Sequence, residues 1–327
     1  MKEALYWKQA NGKILCLLCP QSCIIQEGCL GFCRVRKNIE QKLYSANYGL
    51  IASIGMDPIE KKPLYHFYPG TQILSCGSVG CNLRCAFCQN WSISQEVSIP
   101  VKKISPEQLI EIAKRSDSIG IAYTYNEPLV GFEFVLETAK LAKKQGLKNV
   151  LVTNGYINED PLKEILGFID AANIDIKAFD EEFYKKNCSG TLQPVLKTIK
   201  TMHRHCHIEL TNLIIPTLND SEEKINELVD WVAKLDRNIP LHFSSYFPSY
   251  KMELPDTNPE ILKSARKIAL KKLEYVYTGN ITDPEGSTTF CPSCKKAVIS
   301  RNGYIVKENN LKDGKCGFCG GKIDVVE

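Results

Sequence analysis

The sequence predicts an α/β fold built on a parallel sheet, with a cysteine-rich metal-binding unit on either side of it. Three observations carry the prediction. From residue 71 onward, short β-rich runs alternate with helix-length amphipathic segments at a repeat of about 20–35 residues, the pattern of strand–helix units around a parallel sheet. Unusual polar residues fall just after those runs, where loops at the C-terminal ends of strands build sites. The 15 cysteines gather largely in C-x2-C-type clusters, which read as metal ligands in a reducing compartment rather than as a disulfide framework. The alternation by itself accommodates a barrel and an open doubly wound sheet equally.

Composition narrows the class. A chain of 327 residues, 44% hydrophobic and 24% charged, has the make-up of a globular protein of two or so domains with a large core. A net charge of +4, from 41 basic and 37 acidic residues, is too even to predict binding to nucleic acid or membrane. The N-terminal MKEALYWKQANGK lacks an export-signal core, and no apolar run reaches the length of a membrane span. The expectation is a cytoplasmic, metal-rich enzyme with units at 1–60, 61–278 and 279–327.

In the first unit Cys16, Cys19, Cys23 and Cys33 follow a C-x2-C-x3-C-x9-C spacing, with Cys29 to spare. Pro20, Gly28 and Gly31 supply turns around an ion. Four thiolates suit tetrahedral zinc or a second Fe–S cluster; zinc is the expectation and the cluster its alternative. The segment DPIEKKPLYHFYPG (57–70), with three prolines, reads as an extended connector. Its aromatic residues pack it onto the main unit, and His66 reads as a packed or exposed histidine rather than as a ligand or proton carrier.

The core strands are expected at Thr71–Ser75, Ile119–Tyr123, Asn149–Thr153, Ala172–Lys177, Ile208–Ile214, Leu241–Ser245 and Tyr275–Tyr277. Ser105 caps the first long helix, with Pro106 at its first position and Gln108 completing a capping box. Helices are also expected at Phe132–Gln145, stopped by Gly146, and at Pro161–Ile169, Leu192–Cys206 and Ser221–Leu235. A last one starts at Asn258-Pro259. The strands lead into Cys81–Cys88, Thr124-Tyr125-Asn126-Glu127-Pro128, Thr153-Asn154-Gly155 and Asp175-Ile176-Lys177. The next two carry Glu209, Thr211 and Asn212, then His242, Ser244 and Ser245.

Cys81, Cys85 and Cys88 form C-x3-C-x2-C in the loop after the first core strand. Three thiolates can hold three irons of a four-iron cluster and leave the fourth open; a zinc knuckle is the alternative. At the other end, Cys291-x2-Cys294 and Cys316-x2-Cys319, with 21 residues between the pairs, predict a closed zinc ribbon. The lysines and Arg301 of this tail are interspersed with Glu308, Asp313 and Asp324, a solvated surface rather than a nucleic-acid footprint.

On GCNLRCAFCQNW, YTYNEP, VTNGY, DPIEKKPLYHFYPG and the terminal cysteines, the sequence resembles the radical S-adenosylmethionine (SAM) superfamily. Within it the chain resembles glycyl-radical activases such as the pyruvate formate-lyase activating enzyme, and more closely the AmmeMemoRadiSam-system radical SAM family. The resemblance implies a partial (β/α)6 barrel and a [4Fe-4S] cluster on Cys81, Cys85 and Cys88. SAM would chelate the open iron and be cleaved reductively to a 5′-deoxyadenosyl radical. It places Glu127, in Tyr125-Asn126-Glu127-Pro128, where the superfamily's Gly-Gly-Glu element orients the methionyl amine. Asn154 falls in the activases' Thr-Asn-Gly turn, although Val152 replaces the aspartate of their cation site. Asp175 and Lys177 match an Asp-x-Lys element whose lysine neutralises the SAM carboxylate, and His242 matches a SAM-facing histidine. The implied partners are a low-potential electron donor, Memo-like and AMMECR-like proteins, and a small-molecule or protein substrate. A glycyl-radical activase is the first alternative. A zinc-binding module for nucleic acid or protein, without SAM chemistry, is the second.

Overall fold

The structure is a computed structural model and describes residues 1–96 and 99–327. Its centre is an eight-stranded sheet. In chain order the strands are β1 (Ser53–Pro58), β2 (Gln72–Gly77), β3 (Gly120–Tyr123), β4 (Lys148–Thr153), β5 (Ala171–Asp175), β6 (His207–Ile214), β7 (Leu241–Ser245) and β8 (Val276–Gly279). They lie side by side in that order. Strands β2 to β8 are all parallel, and β1 runs antiparallel to β2. The seven expected core strands are all present within two residues at each end; β5 ends at Asp175 and leaves Ile176 and Lys177 to the loop. Strand β1 was not expected, because Gly55 and Pro58 interrupt its pattern and it is an edge strand, where proline is tolerated.

Helices cross between the strands: α1 (Pro106–Arg115), α2 (Phe132–Lys144), α3 (Glu159–Leu166), α4 (Leu192–Met202), α5 (Glu222–Leu235) and α6 (Pro259–Ala269). Their starts follow local chemistry. Ser105 and Gln108 form the reciprocal capping box of α1, Ser221 caps α5 and Asn258 caps α6. Gly146, at φ +75°, ends the α2 turn in a conformation that favours glycine. At Gly120 a Cβ would stand 2.0 Å from the carbonyl oxygen of Lys148, so only glycine lets β3 and β4 pair there. Among the described residues no helix is long and apolar enough to cross a membrane.

Two faces of the sheet make two cores. Leu74, Cys76, Ile121, Tyr123, Leu151, Ile174 and Leu210 pack outward among the helices. On the inner face Ile73, Ala122, Val150 and Ala171, near the strands' N-terminal ends, close on Ile59, Leu64 and Phe67 of the connector. The proline-rich segment therefore plugs one end of the sheet and leaves the C-terminal rim to the loops. Residues 1–45 add two small antiparallel sheets. The tail adds a three-stranded sheet, Thr289–Phe290, Ala297–Asn302 and Ile305–Asn309.

The tail is bolted to the plugged end. Buried Arg301 donates to the carbonyl oxygens of Tyr65 (2.8 Å) and Ser287 (3.1 Å) and meets Glu60 at 3.4 Å. His66 is fully buried, as its packed reading expects. Its Nδ1 faces the carbonyl oxygen of Asp324 at 2.7 Å, so that nitrogen carries the proton, and its Nε2 accepts from the Tyr277 hydroxyl.

Candidate active site

The cysteine loop leaves β2 and is held from several sides. Asn126 accepts from the Ser78 N–H (3.2 Å) and donates to the Gly80 carbonyl (2.9 Å). The N–H groups of Arg84 and Ala86 donate to the carbonyls of Cys188 (2.7 Å) and Asn187 (2.9 Å). Lys251 N–H reaches the Ala86 carbonyl at 2.9 Å, and Ser249 Oγ the Cys88 carbonyl at 3.1 Å. A loop with its backbone pinned this way can present three thiols in fixed directions.

The thiols themselves are pushed away from ionisation. Burial, then the neighbouring Cys85 and Glu127, raise Cys81 well above the usual thiol value. The Cys188 thiol beside it, then burial, do the same to Cys85. Burial and Cys85 raise Cys88, against the pull of Lys177. Three adjacent desolvated thiols become thiolates together only if a cation joins them, because the low-dielectric site disfavours each bare charge. The donor set suits an iron–sulfur cluster with one open iron.

Around this loop the structure assembles most of the expected residues. Asn154 Nδ2 lies 3.7 Å from Cys81 Sγ and donates to Asn82 Oδ1 at 2.9 Å. Lys177 Nζ is 2.7 Å from Asp175 Oδ2, and their side chains stay 18% and 31% exposed. Burial would lower Lys177, but Asp175 and the Cys85 thiol outweigh it and hold the ammonium well above its usual value. Glu127 accepts from the N–H of Leu129 (3.0 Å) and Asn154 (2.8 Å) and from Thr153 Oγ1 (2.9 Å). Burial is the larger influence on it and raises its carboxyl to about 7. Much of its capacity thus goes into fixing the turn that carries Asn154.

His242 is placed differently. As the second residue of β7 it lies toward the strand's N-terminal end. Its Nε2 is 2.6 Å from Glu209 Oε2, and its ring stacks on Tyr277 at 5.1 Å between centroids. Among the described residues no hydrogen bond joins it to the cysteine loop.

Two features were not foreseen. Cys188, fully buried at the end of a single π-helical turn, stands against Cys85; a lone cysteine a hundred residues downstream carries no spacing signal. Tyr125 holds φ at +74° although it is not glycine, a conformation that costs a bulky residue energy. Its hydroxyl donates to Asp57 Oδ2 at 2.6 Å, Asn90 donates to its carbonyl at 2.8 Å, and Lys62 Nζ sits 4.7 Å from its ring centroid. The side chain thus anchors a turn that glycine would make without help.

Residues 76–232 match the family model described as the radical SAM superfamily. The chain belongs to the radical SAM superfamily. This radical SAM chain is 44% identical to the uncharacterized protein MJ0808 of Methanocaldococcus jannaschii, across 100% of both chains. It is 29% identical to the pyruvate formate-lyase-activating enzyme of Clostridium pasteurianum, over 49% of this chain and 68% of that one. Streptococcus suis SuiB bound to S-adenosylmethionine shares the fold at a TM-score of 0.50 and 15% identity, over 61% of this chain and 48% of that one.

The other cysteines fall into two arrangements. Cys291, Cys294, Cys316 and Cys319 bring their sulfurs within 4.8 Å of one another and can hold a metal ion. Burial would raise Cys291, but the N–H groups of Cys294 and Ser293 outweigh it and lower its thiol. Cys16, Cys19, Cys23 and Cys33 line one pocket with Arg36, and Cys29 points to solvent.

Proposed function

We propose that this chain is an enzyme in which Cys81, Cys85 and Cys88 hold three irons of a [4Fe-4S] cluster and SAM occupies the fourth. The observation that carries the reading is the convergence of three desolvated thiols with Asn154, Asp175 and Lys177 at one rim of the sheet. Such a cluster, when bound, passes one electron to the sulfonium of SAM, which breaks the C5′–S bond into methionine and a 5′-deoxyadenosyl radical that abstracts hydrogen from the substrate.

The residues then divide the work. Lys177, kept charged by Asp175, neutralises the methionyl carboxylate. Glu127 holds the 153–154 turn in place and offers its remaining lone pairs to the methionyl amine. Asn154 donates toward the Cys81 sulfur, which steadies its charge. His242, paired with Glu209 near the N-terminal ends of the strands, is left to the fold rather than to SAM. The sheet as a partial barrel would surround the radical and exclude water. The C-terminal four cysteines would hold structural zinc, since a closed set of four thiolates leaves no open position. The reading extends to a cytoplasmic enzyme working with a low-potential electron donor and Memo-like and AMMECR-like partners on a small molecule or protein. The second reading is a glycyl-radical activase, favoured by the likeness to the Clostridium pasteurianum activating enzyme.

The test is anaerobic incubation with SAM and dithionite, reading 5′-deoxyadenosine by mass spectrometry. Wild type should form it, and Cys81→Ala should lose both cluster iron and product. Undiminished cleavage by Cys81→Ala would overturn the assignment. A glycyl EPR signal on a co-expressed partner would select the activase. Zinc without iron or sulfide in anaerobically purified protein would select a binding module instead.

A further inference from the structure

The spacing of the N-terminal cysteines leaves zinc and a cluster open, with zinc the expectation, and the geometry favours the alternative. The C-terminal four show what a single-ion site looks like here. Cys291 and Cys319 are 3.7 Å apart at sulfur, as are Cys294 and Cys316. That matches four sulfurs around one ion at Zn–S distances of ~2.3 Å. Among the described residues no other group of three cysteines brings its sulfurs within 4.8 Å. Yet Cys16, Cys19, Cys23 and Cys33 face one pocket. A pocket ringed by four thiols that do not gather within 4.8 Å suits a cluster in which each sulfur binds a different iron. Cys81, Cys85 and Cys88 are also more widely spaced than the C-terminal four.

Position is the second observation. The loops carrying the two wide sets touch at three places. Gly80, just before Cys81, takes φ +94° and lies so close that a Cβ would be 2.6 Å from the Cys33 carbonyl oxygen. Arg84, just before Cys85, donates to the carbonyls of Phe32 and Cys81 and stacks 4.2 Å over the Phe32 ring. Gln21, between Cys19 and Cys23, donates to the carbonyls of Asn82 at 2.9 Å and Ser189 at 2.8 Å. Outward, Gln21 and Cys23 of the lining are partly exposed. The pocket therefore spans from near the surface to the backbone of the candidate active site.

We propose that Cys16, Cys19, Cys23 and Cys33 ligate a second iron–sulfur cluster that relays electrons to the one on Cys81, Cys85 and Cys88. This rests on the radical SAM reading of the latter. An external one-electron donor of the flavodoxin or ferredoxin class is oxidised by one electron. The N-terminal cluster takes up that electron and is reoxidised on passing it inward. The electron ends on the SAM sulfonium, whose C5′–S bond breaks to methionine and the 5′-deoxyadenosyl radical; the relay itself moves no proton. A redox-inert zinc ion would serve none of this.

The test is metal analysis and EPR on anaerobically reconstituted full-length protein. Wild type should carry about eight irons per chain if both clusters are of the four-iron type. The Cys81→Ala/Cys85→Ala/Cys88→Ala variant should keep about half, with a reduced-state EPR signal that SAM does not alter. A Cys16→Ser/Cys19→Ser variant should keep the SAM-responsive signal and cleave SAM with dithionite, yet fall at least tenfold when reduced flavodoxin is the only donor. Zinc in the N-terminal site of the triple variant, or an undiminished flavodoxin-driven rate in the double variant, would overturn the proposal. If the double variant does not fold, the iron and EPR of the triple variant decide. Wild type that holds both clusters but never cleaves SAM would instead defeat the functional reading and leave the second cluster standing.

Discussion

At the N-terminal end of the sheet, buried Glu209 answers to three groups at once: the His66 N–H at 2.7 Å, His207 at 3.1 Å and His242 at 2.6 Å. At the C-terminal rim, Asp175 and Lys177 answer chiefly to each other and remain 31% and 18% exposed. Both ends take charge out of water, which costs free energy unless partners replace the solvent. The plugged end supplies those partners from the connector and the tail. The rim does so only in part: Lys177 pulls on Cys85 and Cys88, while Glu127 and Asp175 push against Cys81 and Cys85. The contrast separates charge that holds the fold together from charge kept for a ligand.

The sharpest way to break this contrast is Glu209→Ala. It strands His66 N–H and two imidazoles in the interior and should cost ~3–5 kcal/mol, read by denaturant unfolding. A loss below about 1 kcal/mol would mean that the network is not structural. Lys177→Ala should do the opposite. Its stability should change by only ~1 kcal/mol, while SAM affinity falls ~10–100-fold, equivalent to about 1.4–2.7 kcal/mol. Calorimetric titration of the cluster-loaded protein would check it, and unchanged affinity would move the carboxylate contact elsewhere.

Acidification should loosen the plugged end. Burial, against the opposing pull of Glu209, holds His66 down at about 4, from 6.5. The unfolded chain then takes up a proton that the folded one refuses, so the stability His66 lends is full above pH 6.5 and drains away as pH falls toward 4. His66→Gln should flatten that part of the profile. An identical slope in the variant would assign the titration to another group. The smallest effect is a control away from both ends: Ser105→Ala removes the α1 capping box at ~1 kcal/mol and should leave SAM cleavage unchanged.

Much of this organisation was legible in the sequence because its signals are local. Capping residues, strand–helix alternation and the spacing of Cys81, Cys85 and Cys88 all lie within a few residues of what they determine. What escaped depends on distant partners. Nothing near His242 announces that Glu209 claims its Nε2, and nothing near Cys85 announces Cys188. Tyr125 in place of glycine looked like a departure, yet its backbone keeps the left-handed turn through a hydroxyl bond to Asp57. The N-terminal cysteines fitted zinc or a cluster by spacing alone. Their separation in space, and their contact with the active-site loop, favour the cluster.

Phe67 forms a β-bridge with Val326, and the N–H of Val326 donates to the carbonyl of His66 at 2.8 Å. On a ribosome, then, the connector is made early and must wait for some 260 further residues before this contact can form. Until then, the underside of the nascent sheet stays incompletely sealed, with Glu60 and His66 lacking the partners that make their burial tolerable. On a ribosome the tail can therefore be seated only after the whole sheet has been made. A chain stalled just short of it should be soft to proteases at the connector, while its helices are already closed.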